Sequence, residues 1–252
     1  MGMFDLSGKV ILINGGSRGI GEAMAHEMAA AGATVLVSSR KLDAVQAVAG
    51  AIEANGGKAK AYACHTGQIE QVDALFEAIK ADFGRLDVLV NNAATNPYFG
   101  PMVHAPESAF DKTFEVNVKG FFLMAQRAAQ LMVEQGKGSI INVASIEGLS
   151  PSPMMGIYSM TKAAVIMMTK ALAKELGGSN VRCNCICPGL TETKFAKVLI
   201  DTPEIYEHYI ARAPLARHAQ PSEITGAAAY FASDASSYTT GAILPVDGGT
   251  SA

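Results

Sequence analysis

The chain has 252 residues, 49% hydrophobic and 17% charged, with a net charge of −3. This suits a single α/β domain with a large core, and no basic block points to nucleic acid or an anionic membrane as partner. The longest apolar runs fall far short of the ~18 residues that a membrane span needs.

The N-terminus, Met1 to Leu6, has no basic n-region or signal-like core. Gly2 is present, but Leu6 stands where a myristoylation signal wants Ser or Thr. Nor does the C-terminal Thr250-Ser251-Ala252 form a peroxisomal tripeptide, so the expectation is a cytoplasmic protein. Cys183, Cys185 and Cys187 alternate within a strand-like run and share one strand face. They read as small buried side chains, with Cys64 the fourth cysteine. None of the five histidines has metal-ligand spacing, so no metal site is expected.

Lys9–Asn14 is a short, nearly continuous apolar run, as a strand covered on both faces should be. Gly15-Gly16-Ser17-Arg18-Gly19-Ile20-Gly21 follows, then a helix-rich segment closed by Gly32. Strand, glycine turn and helix N-terminus together suit a pyrophosphate, although tight turns also use Gly for conformational reasons alone. Thr34–Ser38 is the second strand. A fold that prefers NAD places an acidic residue near its end to hold the ribose 2′-hydroxyl. This chain has Ser38-Ser39-Arg40-Lys41 there, two hydroxyls and two cations suited to a 2′-phosphate, and Arg18 adds a third cation.

The alternation continues with a helix over Leu42–Asn55, a strand over Lys58–Cys64, a helix over Gln68–Phe83 and a strand over Leu86–Val90. Asn91-Asn92-Ala93-Ala94 follows, where ligands bind in open α/β sheets. Spacing alone does not separate a ligand contact from an Asn-rich turn. A long helical stretch is predicted over Glu107–Val133. Asn117 lies within it, where Asn is a poor helix former; it is a buried Asn satisfied by backbone, or it marks a local distortion serving a functional hydrogen bond. Ser139–Val143 is the fifth strand, with Ser145 just beyond it. Val181–Cys187 is the sixth, followed by Pro188-Gly189-Leu190-Thr191-Glu192-Thr193. Thr191 to about Pro221 reads as a helical flap, and Ile243–Val246 as a last strand. The expected fold is one doubly wound parallel sheet with helices on both faces, a single domain over 1–252.

Between Ser145 and the sixth strand lies Ile157-Tyr158-Ser159-Met160-Thr161-Lys162. Tyr158 and Lys162 are four apart at the start of a run of good helix formers, so they share a helix face. A nearby ammonium favours the phenolate and lowers the phenol's pKa, as a general acid or base near neutral pH requires. An isolated Tyr-x-x-x-Lys is more often a surface pair; the remainder of the chain lifts this one above chance.

Taken together, the chain resembles the short-chain dehydrogenase/reductase family along essentially its whole length. The matching pieces are Gly15-x3-Gly19-x-Gly21, Asn91-Asn92-Ala93, Asn117, Ser145, Tyr158-x3-Lys162, and Pro188-Gly189 with Thr193. The resemblance implies a catalytic set of Asn117, Ser145, Tyr158 and Lys162. It implies cofactor contacts at Gly15, Ser17, Gly19, Ile20, Asn91, Ala93, Tyr158, Lys162, Pro188 and Thr193. Arg18, Ser38, Ser39, Arg40, Lys41, His65, Gly189 and Thr191 complete the expected NADP(H) site. Asn14 stands where the family commonly has Thr, and His65 where it commonly has Asp beside the adenine. Ser38-Ser39-Arg40-Lys41, Cys64-His65, Asn96 to Gly100 and Ser150-Pro151-Ser152-Pro153 are similar to the NADPH-dependent carbonyl and retinal reductases, which are usually tetramers.

That branch implies reduction of ketones and aldehydes as small molecules. Ser145 would stabilise charge on the carbonyl oxygen, Tyr158 supply the proton, Lys162 hold the ribose and Asn117 a water. Pro97, Tyr98, Phe99, Glu147, Met154, Met155, Phe195 and Leu199 are the expected pocket wall. The alternatives are a 3-oxoacyl carrier-protein reductase and a catalytically silent NADP(H)-binding regulator. A homotetramer is expected because the helix after Ile157 is apolar on more than one side.

Overall fold

The computed structural model describes residue 2 and residues 4–252; the part of the N-terminal reading that falls on Met1 and Met3 lies outside them. Seven parallel strands form one sheet: β1 (Val10–Asn14), β2 (Thr34–Ser39), β3 (Lys58–Ala63), β4 (Val88–Asn91), β5 (Gly138–Val143), β6 (Val181–Pro188) and β7 (Ile243–Val246). Their order is β3-β2-β1-β4-β5-β6-β7. The expected doubly wound sheet is therefore present.

Strand pleating explains the continuous apolar runs. Ile11 and Ile13 face one side, and Val10 and Leu12 the other. The first side packs Val35, Val37, Val88 and Val90 against α1 (Gly19–Ala30), α2 (Leu42–Ala54) and α9 (Ser222–Ala232). The second packs Leu36, Leu89 and Ile140 against α3 (Ile69–Phe83) and α5 (Gly120–Gln135). Cys185 and Cys187 extend that second side under α6 (Gly156–Leu176), against Val165 and Ile166. Cys183 lies on it as well, so the three cysteines share a face as expected.

Chain order along the sheet reverses at β1, whose neighbours are β2 and β4. Helices then leave to opposite faces and open a crevice beyond the carboxyl ends of the strands. The glycine turn, Ser145, Tyr158 and Lys162 all border that crevice.

The stretch predicted as one helix over Glu107–Val133 is interrupted. It runs as α4 (Glu107–Phe114), a π-helical turn over Glu115–Lys119, and α5. The widened turn contains Asn117, which is also buried and bonded to the Thr95 backbone, so a local distortion and backbone satisfaction are both present. Above β6 the flap carries α7 (Lys197–Asp201) and α8 (Pro203–Ile210). Its two ends are tied together: the Ala219 N–H donates to Leu190 O at 2.9 Å, and the Glu192 N–H to Ala219 O at 2.8 Å.

Candidate active site

A cleft of about 270 Å³ runs from the glycine turn past the ends of β1, β4 and β5 to the flap. At one end the chain must come very close to itself. Gly15 has φ +79°, and a Cβ there would lie 2.5 Å from Ala93 N. A Cβ on Gly21 would run into Gly15 O. The Asn92 side chain locks the turn by donating to Gly15 O at 2.9 Å. Ser17, Arg18, Gly19 and Ile20 line the cleft at the start of α1, with Ser39, Arg40 and His65 beside them. Backbone N–H groups, a helix N-terminus and two guanidinium groups form a donor set that fits a phosphorylated dinucleotide.

His65 is fixed at this rim. Its Nδ1 accepts from the Gly67 N–H at 3.2 Å, and its Nε2 is 3.3 Å from Lys112 Nζ. Lys112 in turn pairs with Glu115 at 2.7 Å.

The reacting groups lie at the other end. Ser145 follows β5, and its Oγ accepts from the Glu147 N–H at 3.1 Å. Tyr158 and Lys162 project from the first turns of α6, and both are buried. Phe195 of the flap covers Tyr158, with ring centres 5.4 Å apart. Lys162 Nζ donates to Val143 O at 2.9 Å. It lies 5.5 Å from the centre of the Tyr158 ring and 5.1 Å from that of Phe121.

The expectation that the phenol's pKa is lowered is not met, because burial outweighs any effect of Lys162. Burial comes first: it pushes Tyr158 well above its ordinary value, and the Ser145 hydroxyl only partly offsets it. Burial likewise pulls Lys162 down to about 8. A desolvated ion loses more than a neutral group does, and both side chains are buried. Tyr158 is therefore held in its protonated form, ready to donate.

Asn117 stands behind the cleft rather than in it. Its Oδ1 accepts from the Thr95 N–H at 2.8 Å, and its Nδ2 donates to Thr95 O at 2.9 Å and Thr161 Oγ1 at 3.1 Å. The side chain is spent on tying the loop after β4 to α6, so it positions the site, and it has no remaining donor for a water.

Several expected contacts point elsewhere. Ser38 is fully buried, its hydroxyl 3.5 Å from Asn14 Oδ1; that distance is the limit of a hydrogen bond, so Asn14 braces the turn weakly. Asn91 donates to Phe121 O and Asn142 Oδ1, away from the cleft. Lys41 precedes α2 outside it, and its carbonyl accepts the Ser39 hydroxyl. Pro97, Tyr98, Phe99 and Met154 also lie outside the cleft lining. Tyr98 is turned onto Pro101 O at 2.9 Å, and Phe99 and Met154 are exposed. Met155, Glu147, Phe195, Leu199, Ala93, Pro188, Gly189, Thr191 and Thr193 do line it.

Sequence reasoning passed over Thr66, Leu190 and Tyr209, which line the cleft too. Thr66 had a readable signal, since it follows the strand end that carries His65. Tyr209 comes from α8, and only the folded flap brings it over the site.

The family model described as enoyl-(acyl carrier protein) reductase matches residues 15–251. Dehydrogenase/reductase SDR family member 4 of Bos taurus is 38% identical, over 97% of this chain and 88% of its own. The 3-oxoacyl-[acyl-carrier-protein] reductase FabG of Thermotoga maritima is 36% identical, over 97% and 98%. Among solved structures, a gluconate 5-dehydrogenase from Burkholderia cenocepacia in complex with NADP and tartrate has a TM-score of 0.95 at 32% identity, covering 98% of this chain and 97% of that one.

Proposed function

The chain belongs to the short-chain dehydrogenase/reductase family, an oxidoreductase acting on CH–OH or carbonyl groups, and on that basis we propose that it is an NADP(H)-dependent reductase of free ketones and aldehydes. The observation that carries the proposal is the buried Tyr158 facing the cleft beside Ser145, above Lys162.

NADPH, when bound, supplies the hydride that the carbonyl carbon accepts. Arg18, Ser39 and Arg40 would hold the 2′-phosphate, and Lys162 the nicotinamide ribose. Ser145 donates to the carbonyl oxygen and stabilises the negative charge that develops there. Tyr158 transfers its phenolic proton to that oxygen, completing the alcohol. An alkoxide is a much stronger base than a phenolate, so a raised phenol pKa does not obstruct transfer in this direction. Phe195 packs against the phenol ring and would shield it from water. Asn117 holds the loop after β4 against α6 and fixes the distance between them.

The pocket supports free small-molecule substrates. Met155, Phe195 and Leu199 are apolar walls, and Met adapts to varied shapes. The net charge of −3 offers an acidic carrier little electrostatic steering. The similarity to FabG favours carrier-bound 3-oxoacyl reduction as the second reading. A silent regulator would not need Ser145, Tyr158 and Lys162 together. A homotetramer acting in the cytoplasm completes the reading; the four free, buried cysteines suit a reducing compartment. Among the described residues, no helix is long and apolar enough to cross a membrane. NADPH oxidation against a panel of ketones, acyl thioesters and sugar acids tests the proposal; turnover confined to the thioesters or the acids would refute it.

A further inference from the structure

Glu147 is two residues beyond Ser145 and only 6% exposed, yet it lines the cleft with Ser145, Tyr158 and Tyr209. Burying a carboxyl group requires partners. Glu147 accepts the Ser152 N–H at 2.8 Å and the Ser152 hydroxyl at 2.6 Å. The Ser159 hydroxyl is 3.1 Å from its Oε2, and the Tyr209 hydroxyl of flap helix α8 is 3.5 Å from its Oε1. All of these partners are neutral. Among the described residues, no Lys, Arg or His forms an ion pair with it.

Of the cations in or near the cleft, only Lys162 stands among the reacting groups, and Arg212 lies near Tyr209. Arg18 and Arg40 are at the glycine-turn end, Lys162 is bound to Val143 O, and Lys194 is on the exposed start of the flap. Glu147 is the one carboxyl group among the described residues that line the cleft, and it stands at the end where the carbonyl must sit. Its charge reaches the reacting phenol: after burial, Glu147 is the foremost influence raising Tyr158.

We infer that Glu147 is a specificity-determining residue, which admits neutral carbonyl substrates and turns away those carrying a carboxylate next to the carbonyl. Two like charges in a dry site oppose each other strongly. Such repulsion selects against a substrate without adding a contact to the preferred one. The serine hydrogen bonds hold the carboxyl group in place, so it cannot swing out to make room. The inference rests on the carbonyl-reductase reading.

The test uses one carbon skeleton in two charge states, ethyl acetoacetate and acetoacetate, with NADPH and either wild type or Glu147→Gln. In the wild type, kcat/KM should favour the ester by about a hundredfold, mostly through a high KM for the acid. In Glu147→Gln that ratio should narrow by about tenfold or more. A ratio taken within one enzyme cancels any general loss of activity. Comparing the two enzymes cancels the intrinsic reactivity of the substrates. A wild-type measurement covers the case of a variant that does not fold: butyramide should inhibit ester reduction about tenfold more tightly than butanoate. Equal kcat/KM in the wild type, an unchanged ratio in the variant, or equal inhibition constants would overturn the inference alone. If the wild type binds NADPH but reduces neither keto compound, the reductase reading fails and the inference with it.

Discussion

The ammonium of Lys162 lies 5.5 Å from the centre of the Tyr158 ring, one helical turn away, and is tied by hydrogen bond to Val143 O rather than to the phenol. The two groups thus form a buried pair in which loss of water keeps the phenol protonated and draws the ammonium's pKa down to about 8. That arrangement suits proton donation more than proton removal.

Replacing Tyr158 by Phe keeps the ring that packs on Phe195 and removes only the hydroxyl. NADPH binding should stay within a few-fold, while kcat falls by about 10²–10⁴-fold. Equilibrium binding and steady-state rates on the same preparation check this. A variant keeping a tenth of wild-type turnover would remove Tyr158 from the chemistry.

Arg40 lines the cleft beside Ser39, with no acidic residue near the end of β2 to hold a ribose 2′-hydroxyl. The wild type should prefer NADPH, and Arg40→Asp should shift kcat/KM toward NADH. Equal wild-type values for the two cofactors would contradict the phosphate-site reading.

Lys162 also governs stability against pH. Its folded-state pKa is about 8, while an unfolded lysine titrates near ~10.4. Between those values the unfolded chain binds more protons than the folded one, so stability rises with pH across that window. Below pH ~8 the buried charge imposes its full cost, about 3 kcal/mol from the size of the shift. Lys162→Met should therefore raise the urea midpoint at pH 7 and abolish the rise between pH 8 and 10. Tyr158, raised by burial, acts oppositely above pH ~10, where stability falls. A variant with the wild-type pH slope would show that Lys162 is not its source.

How much of this was readable from sequence depended on direction more than on residue type. The glycine turn, the alternation of strands and helices, and the Tyr158–Lys162 spacing are local patterns, and the fold follows them. Ser38 and Asn91 are polar and sit at strand ends, but pleating turns them inward; Asn91 shares a face with Leu89, a parity that was available in the sequence. The exposure of Phe99 and Met154 and the arrival of Tyr209 over the cleft depend on loop and flap packing, which no spacing encodes. Nor could spacing weigh burial against charge at Tyr158.

An apolar stripe on α6 supports the tetramer. Met160, Ala163, Met167 and Ala171 recur at helical spacing and are exposed, as is Phe122 on α5. Met167 is 63% exposed, and a stripe of this kind marks an interface. Light scattering at micromolar concentration should give a tetramer, and Met167→Glu should dissociate it. A wild-type monomer would refute the assembly.

The most direct test of the central claim compares kcat/KM for NADPH oxidation with a free aromatic ketone or β-keto ester and with acetoacetyl carrier protein. The account predicts efficient turnover of the free carbonyl compound, with no large advantage for the carrier. An advantage of about a hundredfold for the carrier-bound substrate, some 2.7 kcal/mol of extra transition-state stabilisation, would contradict it and establish the carrier-protein reductase instead.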